Sequence, residues 1–207
     1  MPVYNKHLAE NYSIVVWESN ETVDFLESKV FLTPEEKKCY SKMRNCNRRK
    51  EWLTVRYILQ NELNIQTPII YTQEGKPELQ GKYISITHSG DYVAVMVSKY
   101  NCGIDMEKVN NKIAKVSHKV FSESEIAYAT NNELLTILWC AKEAAFKFAN
   151  VSSLNFIRDI HVLPFSTSYS GNLICEIRKP KLKIININYK TINNYKFVWT
   201  SFDNFLL

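Results

Sequence analysis

The spacing of apolar residues along the chain predicts short strands mixed with a few helices. Alternating or clustered β-prone residues predict strands at residues 12–17, 69–72, 83–87, 92–98, 102–107, 157–163, 173–178, 181–189 and 196–202. Apolar residues three and four apart predict helices at residues 33–61, with a break near Cys46 and Asn47, and at residues 122–130 and 133–148. Strands grouped with helices, without strict alternation, are typical of the α+β class.

Two of the predicted helices begin with recognisable capping residues. Thr33 stands before Pro34 and three residues before Glu36, and Ser122 stands three residues before Glu125. A hydroxyl at the N-cap with a glutamate three residues later forms a capping box, and proline favours the first helical position. The chain shows no low-complexity linker and no internal repeat. We place a boundary between two halves near residue 100, giving residues 1–100 and 101–207.

Two short stretches carry most of the chemistry. In G-I-D-M-E at residues 103–107, strand periodicity points Asp105 and Glu107 to one face and Ile104 and Met106 to the core. In W-C-A-K-E-A-A-F-K at residues 139–147, Glu143 and Lys147 share one helix face. Three carboxylates with a lysine suit a hard divalent cation and a phosphate. Each stretch alone also fits an ordinary solvated strand face or a helical ion pair.

Composition narrows the range of functions. The chain has 207 residues, 45% of them hydrophobic, and a net charge of +5, which suits an anionic cofactor or an acidic partner and is too small to indicate nucleic acid. The five cysteines form no Cys-x-x-Cys pair, and the four histidines are scattered, so any metal is expected to be bound by oxygen.

No apolar run is long enough to span a membrane, and the first residues lack the apolar core of a signal peptide. We therefore expect a cytoplasmic protein without membrane contact.

Basic residues concentrate in two segments. One covers residues 37–50, and the other contains Lys108, Lys112, Lys115 and Lys119. Charged runs of this kind are usually solvated surface, and that remains the default interpretation for most of these residues.

The motifs resemble those of the larger, surfactin-synthetase-activating type of 4'-phosphopantetheinyl transferase. Five landmarks occur in the order of that family: G-K-P at 75–77, I-S-I-T-H-S-G at 84–90, G-I-D-M-E at 103–107, F-S-E-S-E at 121–125 and W-C-A-K-E-A-A-F-K at 139–147. The flanking segments match only in general character. Cys140 replaces the usual serine, which we expect to be a packing position. The segment between Glu107 and Glu143 is shorter than in these relatives, which leaves carrier specificity open.

The resemblance implies a fold, a reaction and a set of site residues. The fold would be a pseudo-dimer of two similar α/β halves, with coenzyme A bound between them. The reaction would move the 4'-phosphopantetheine arm of coenzyme A to a serine of an apo-carrier protein, acidic in character, and release adenosine 3',5'-bisphosphate. Asp105, Glu107 and Glu143 match the Mg2+ ligands, and Glu143 also matches the candidate base; which of these roles it takes stays open. Lys147 would contact the pyrophosphate.

The N-terminal half would supply the remaining coenzyme A contacts. His88 matches a phosphate-binding histidine, Thr87 stands where the family often has serine, and Lys76 matches a lysine near the 3'-phosphate and adenine. Arg48, Arg49 and Arg56 resemble an arginine-bearing helix, and Arg56 fits best. We expect a monomer.

The sequence disfavours three alternative functions. A non-catalytic relative that binds coenzyme A is disfavoured because Asp105, Glu107, Glu143 and Lys147 are all present. A Mg2+-dependent nucleotide phosphotransferase is disfavoured because the chain has no Gly-x-x-x-x-Gly-Lys-Ser/Thr loop. A nucleic-acid-binding module is disfavoured because no RNA-binding signature accompanies the aromatic residues.

Overall fold

The structure is a computed structural model that describes residues 3–202 and 205–206. The chain divides into two compact units, Met1–Lys99 and Tyr100–Leu207. Both units contain helices and antiparallel strands, which confirms the α+β class. The pseudo-dimeric relation of the two halves stays a prediction. Among the described helices, none is long and apolar enough to cross a membrane.

The first unit is built on a four-stranded antiparallel sheet. Its order is β1-β2-β6-β5, formed by β1 (Val3–Leu8), β2 (Tyr12–Glu18), β5 (Tyr83–Ser89) and β6 (Tyr92–Ser98). A separate two-stranded hairpin joins β3 (Ile70–Tyr71) to β4 (Pro77–Glu78). The central strand β6 is buried along its whole length, as expected for a strand with a partner on each side.

Three helices and a π-helical segment complete the first unit. They are α1 (Val23–Lys29), α2 (Pro34–Ser41), α3 (Cys46–Tyr57) and the π-helical segment Ile58–Glu62. The predicted capping box is present: the Thr33 side chain accepts from the Glu36 backbone N–H, and the Glu36 carboxylate accepts from the Thr33 N–H. The helix break lies just before Cys46, where the Asn45 side chain caps α3.

The second unit contains the longer sheet. Strands β7 (Cys102–Lys108), β11 (Tyr195–Ser201), β10 (Lys183–Ile192), β9 (Ser170–Ile177) and β8 (Ile160–Val162) follow one another across it, and β12 (Phe205–Leu206) pairs with β10. Helices α4 (Lys112–Val120), α5 (Glu123–Tyr128) and α6 (Asn132–Ala149) connect β7 to β8. Helix α6 contributes most of its length to the core of this unit.

A glycine sets the distance between β7 and α6. A Cβ built on Gly103 would overlap the backbone carbonyl of Ala144 and lie 2.9 Å from the backbone nitrogen of Phe148. Strand β7 and helix α6 therefore pack backbone against backbone at this point, which only glycine permits. The glycine of G-I-D-M-E thus brings Asp105, two residues further on the same face, close to the helix.

Several elements were not predicted from the sequence. Strands β1, β4 and β12 and helices α1 and α4 were not predicted, and α4 contains the lysines that follow β7. Ile113, Val116 and Val120 are three and four residues apart, which is a helical apolar pattern that the sequence analysis did not use because it considered only the lysines of this segment. The strand that carries His88 was expected to end before it and instead continues to Ser89.

Candidate active site

Three half-buried residues of α6 lie in one line along the part of the helix that packs into the core. Trp139, Glu143 and Lys147 follow one another at intervals of four residues, the spacing that places side chains above one another. Their neighbours Cys140, Ala141 and Ala144 are fully buried. The helix therefore presents a carboxylate and an ammonium group at one edge of the core, and Cys140 has the packing position expected for it.

Lys147 reaches across to strand β7. Its Nζ lies 2.8 Å from Asp105 Oδ1 and 2.9 Å from the Ile104 carbonyl oxygen. The Asp105 side chain is buried, whereas that of Lys147 is 29% exposed. Ile104 and Met106 are completely buried, as predicted for the core face of the strand, and the strand is buried from Cys102 to Met106. The structure thus brings together Asp105 and Lys147, two residues of the predicted site that are 42 positions apart.

Glu143 has the electrostatic environment of a reactive carboxyl group. Its pKa is raised because burial disfavours the charged form, and the negative charges of Asp105 and Glu107 raise it further, while Lys147 opposes them. Among the described residues, no group donates a hydrogen bond to its carboxylate. A half-buried carboxyl group with a raised pKa, next to other charged groups, is typical of functional sites.

The carboxylates do not form a ready-made metal cage. Within residues 3–202 and 205–206, no group of three or more His, Cys, Asp or Glu side chains is arranged to hold a metal ion. The donor set nevertheless suits Mg2+, because Asp105, Glu107 and Glu143 are all oxygen donors that influence one another electrostatically. A cation among them would relieve the repulsion that raises the pKa of Glu143.

A second lysine of the same motif has a partner that the sequence did not indicate. Lys142 Nζ lies 2.7 Å from Glu125 Oε2, and both side chains are completely buried. The capping box at Ser122 had predicted only the backbone role of Glu125. The signal available in the sequence was the co-occurrence of a capping glutamate and a lysine on a helix whose other positions are apolar.

In the first unit, His88 lies in a cluster of charged side chains. Its Nε2 is 2.9 Å from Arg48 Nη1 and its Nδ1 is 3.4 Å from Glu51 Oε1. Arg48 and His88 are both more than two-fifths exposed. The sequence analysis gave Arg56 the best fit and did not pair Arg48 with His88, because α3 and β5 come together only in the folded unit.

Arg56 and Arg49 have other partners. Arg56 is buried, its Nε lies 2.9 Å from Glu36 Oε1, and its guanidinium lies over the Trp52 ring. Burial lowers the pKa of Arg56. Arg56 is thus enclosed by residues of its own unit and is 2% exposed, which disfavours a contact with a phosphate; its assignment to coenzyme A stays a prediction. Arg49 binds Glu27 at 3.0 Å and lies over the Tyr40 ring.

The remaining predicted residues of the first unit lie on β5 and in the β3–β4 turn. Thr87 is buried and pairs with Ala94 in the sheet. Lys76 follows Gly75, whose φ of 80° is accessible mainly to glycine, and its backbone carbonyl accepts from the Thr72 N–H at 3.0 Å. The G-K-P motif therefore forms a tight turn that presents the lysine.

The lysines after β7 share one face of α4. Lys112, Lys115 and Lys119 are three and four residues apart on this helix and are exposed, as is Val116. Among the described residues, none of the three ammonium groups makes a hydrogen bond or an ion pair. The helix thus presents a basic face with one apolar side chain in it.

Comparisons with known proteins agree with the motifs. Residues 101–196 match the family model of the 4'-phosphopantetheinyl transferase superfamily. The chain is also 29% identical over 112 residues to the 4'-phosphopantetheinyl transferase AcpT of Escherichia coli strain K12, and to the protein of the same name from Escherichia coli O157:H7. These alignments cover 48% of the chain and 57% of each relative.

Proposed function

We propose that this chain, whose residues 101–196 belong to the 4'-phosphopantetheinyl transferase superfamily, transfers the phosphopantetheine arm of coenzyme A to a serine of an apo-carrier protein. The membership confirms the resemblance at the level of the superfamily; the surfactin-synthetase-activating subtype stays a prediction. We further propose that the enzyme acts as a cytoplasmic monomer. The single observation that carries the proposal is the half-buried Glu143, with its raised pKa, next to the Asp105–Lys147 pair.

In the proposed reaction, the serine Oγ attacks the pantetheine-side phosphorus of the coenzyme A pyrophosphate. The bond from that phosphorus to the oxygen of the adenosine 3',5'-bisphosphate leaving group breaks. The serine proton passes to Glu143, directly or through water. A carboxylate whose pKa is raised toward neutrality is a better proton acceptor than an ordinary surface glutamate.

Lys147 is the candidate for stabilising the leaving group. Its ammonium group is held between Asp105 and the Ile104 carbonyl and remains partly exposed. A positive charge fixed in advance stabilises the charge that develops on the leaving phosphate without reorganisation. Asp105 would thus position the lysine as well as bind metal.

Asp105, Glu107 and Glu143 would hold Mg2+, with Glu107 bound directly or through water. When bound, the ion would supply charge neutralisation at the pyrophosphate. Glu143 is proposed both as the base and as a Mg2+ ligand. Measuring how the activity of Glu143 variants depends on the Mg2+ concentration would separate these two roles.

For coenzyme A, we propose contacts from the first unit by Lys76, Thr87, His88 and Arg49, and we add Arg48. Arg48 and His88 lie 2.9 Å apart and are both exposed, so the two could bind one phosphate group together. Thr87 is buried and would act through its position in β5.

The carrier protein is proposed to approach the basic face of α4. Its three lysines have no described ionic partner within the chain, and an acidic carrier would provide one. Exposed charges of this kind mainly accelerate association and lower its tolerance of salt.

The test is intact-mass spectrometry of apo-carrier proteins incubated with the chain, coenzyme A and Mg2+. We expect the mass of one phosphopantetheine arm to be added, and the addition to stop when a chelator removes the metal. If coenzyme A binds by calorimetry but none of the fatty-acid, polyketide and peptide carriers is modified, the chain is a non-catalytic relative that binds coenzyme A.

A further inference from the structure

We propose that the buried pair Glu125–Lys142 is a positioning pair, which holds helix α6 in the rotation that turns Glu143 and Lys147 toward Asp105. This inference rests on the proposed function for its effect on turnover, but its structural part can be tested separately. It gives a role to the F-S-E-S-E stretch, which the proposed chemistry leaves unused.

Lys142 is held at each of its three ammonium protons. Its Nζ lies 2.7 Å from Glu125 Oε2, 2.7 Å from the Phe156 carbonyl oxygen and 3.1 Å from the Val120 carbonyl oxygen. An ammonium group has three donors, so the side chain is fully satisfied although it is completely buried. The three acceptors come from α5, from the segment before β8 and from the end of α4.

Glu125 is equally well held. Its Oε2 accepts from the Ser122 backbone N–H at 2.8 Å and from the Ser122 hydroxyl at 2.9 Å, and its Oε1 accepts from the Val162 N–H at 3.0 Å. His161 Nδ1 lies 3.6 Å from Oε1. One carboxylate thus joins the start of α5, strand β8 and, through Lys142, helix α6.

The pair fixes α6 on a different side from the candidate site. Successive residues on a helix project about 100° apart, so Lys142 and Glu143 point in different directions although they are neighbours. Lys142 is fixed to α5 and the segment before β8, whereas Lys147 is fixed to β7. Two attachments on different sides prevent the helix from rotating about its axis.

The segment that receives Lys142 also packs on the site side of the helix. The Phe156 ring lies 6.1 Å from the Trp139 ring and 5.4 Å from the Phe146 ring, measured between centroids. Trp139 precedes Glu143 by one turn, and Phe146 follows it by three residues. Loss of the hydrogen bond to the Phe156 carbonyl would therefore loosen the aromatic contacts on both sides of Glu143.

The test compares Lys142→Met, Glu125→Gln and the double variant Glu125→Gln/Lys142→Met. Each single variant leaves a buried group without its charged partner, so we expect it to unfold at lower temperature. The double variant removes both charges, and the glutamine carbonyl can keep the capping box, although its amide nitrogen cannot accept from the Val162 N–H. We therefore expect its thermal midpoint to lie above those of both single variants. The double variant nevertheless lacks the ion pair between α6 and α5 and the hydrogen bond from α6 to the Phe156 carbonyl.

Two measurements on the double variant decide the matter. We expect kcat for transfer to an apo-carrier to stay about tenfold to a hundredfold below wild type, with KM for coenzyme A changed less than about twofold, because misplaced catalytic groups affect turnover more than binding. We also expect faster amide hydrogen exchange in peptides covering residues 120–125 and 154–162. A kcat that recovers together with the thermal midpoint would show a merely structural pair and overturn the proposal, as would unchanged exchange.

The controls separate this proposal from others. Arg178→Met removes an exposed pair with Glu176 in the same unit and should leave kcat and exchange unchanged. Ile185→Ala lowers stability from the core of β10 and should not lower kcat while the protein is folded. If wild type transfers nothing to any carrier, the proposed function is wrong, and hydrogen exchange alone still decides whether the pair holds α6.

Discussion

Lys142 and Lys147 lie on the same helix and in the same sequence motif, yet they differ in burial and in their partners. Lys142 is completely buried and all its protons have acceptors, whereas Lys147 is partly exposed and holds Asp105 at the edge of the core. Burial lowers the pKa of Lys142, and Glu125 counteracts that effect. Complete burial against Glu125 indicates a lysine that fixes structure, whereas the partial exposure of Lys147 makes it a candidate for contacting a substrate.

The largest expected effect is on stability, from Lys142→Ala. Removing one partner of a buried ion pair leaves the Glu125 carboxylate uncompensated, and we expect a loss of about 3–5 kcal/mol in the free energy of unfolding. Urea unfolding followed by circular dichroism measures it. A loss below about 1 kcal/mol would remove the distinction between the two lysines.

Lys147→Ala should show the reverse pattern. Lys147 is partly exposed, but its loss takes the positive charge away from the buried Asp105 carboxylate. We therefore expect a loss of about 1–3 kcal/mol in the free energy of unfolding, smaller than for Lys142→Ala. Transfer to an apo-carrier should fall about a hundredfold, as for the loss of one preorganised charge at a reacting phosphate. Near-normal kcat with Lys147→Ala would exclude the residue from the site.

Gly103→Ala tests whether the close approach of β7 and α6 matters. The added methyl group would overlap the Ala144 carbonyl, so β7 and α6 must separate, at a cost of about 1–3 kcal/mol and with reduced turnover. Gly171→Ala is the matched control, because its Cβ would meet only the ring end of Tyr189 at 2.9 Å. Equal effects of the two substitutions on stability and turnover would mean that the close contact between β7 and the backbone of α6 has no particular importance for the site.

Reversing two of the α4 lysines, Lys112→Glu and Lys115→Glu, should slow carrier capture several-fold and reduce its dependence on salt. Coenzyme A affinity should not change. Stopped-flow association over a salt series measures both quantities. Identical salt slopes for the wild type and the reversed variant would show that α4 does not guide the carrier.

The strand and the helix that carry the candidate site residues could be predicted from the sequence, because both elements are strongly patterned. Strand parity correctly placed Asp105 opposite the buried Ile104 and Met106, and helical spacing aligned Glu143 with Lys147. Side-chain partners between distant segments were not predictable. Arg56 looked like the best phosphate ligand, but burial against Glu36 and Trp52 encloses it, and Arg48 is next to His88 only because α3 and β5 meet.

Glu143→Gln is expected to have the smallest effect on stability, and the sign of the change in its thermal midpoint is informative. The folded-state pKa of Glu143 is raised, so its protonated form favours the native state and this contribution is lost as the pH rises through the folded pKa. We therefore expect Glu143→Gln to raise the thermal midpoint of the metal-free protein at pH 8, where wild-type Glu143 carries more charge, and to raise it less as the pH is lowered and more of Glu143 becomes protonated. Thermal scans with a chelator present measure the difference.

The most direct test places Glu143→Gln and wild type side by side in the carrier assay. Intact-mass spectrometry would follow an apo-carrier incubated with coenzyme A and Mg2+. We predict that wild type adds one phosphopantetheine arm, whereas Glu143→Gln, folded at least as stably, adds it about a thousandfold more slowly or not at all. Comparable modification by both proteins would contradict the role of this carboxylate, and no modification by wild type of any carrier would contradict the proposed transfer itself.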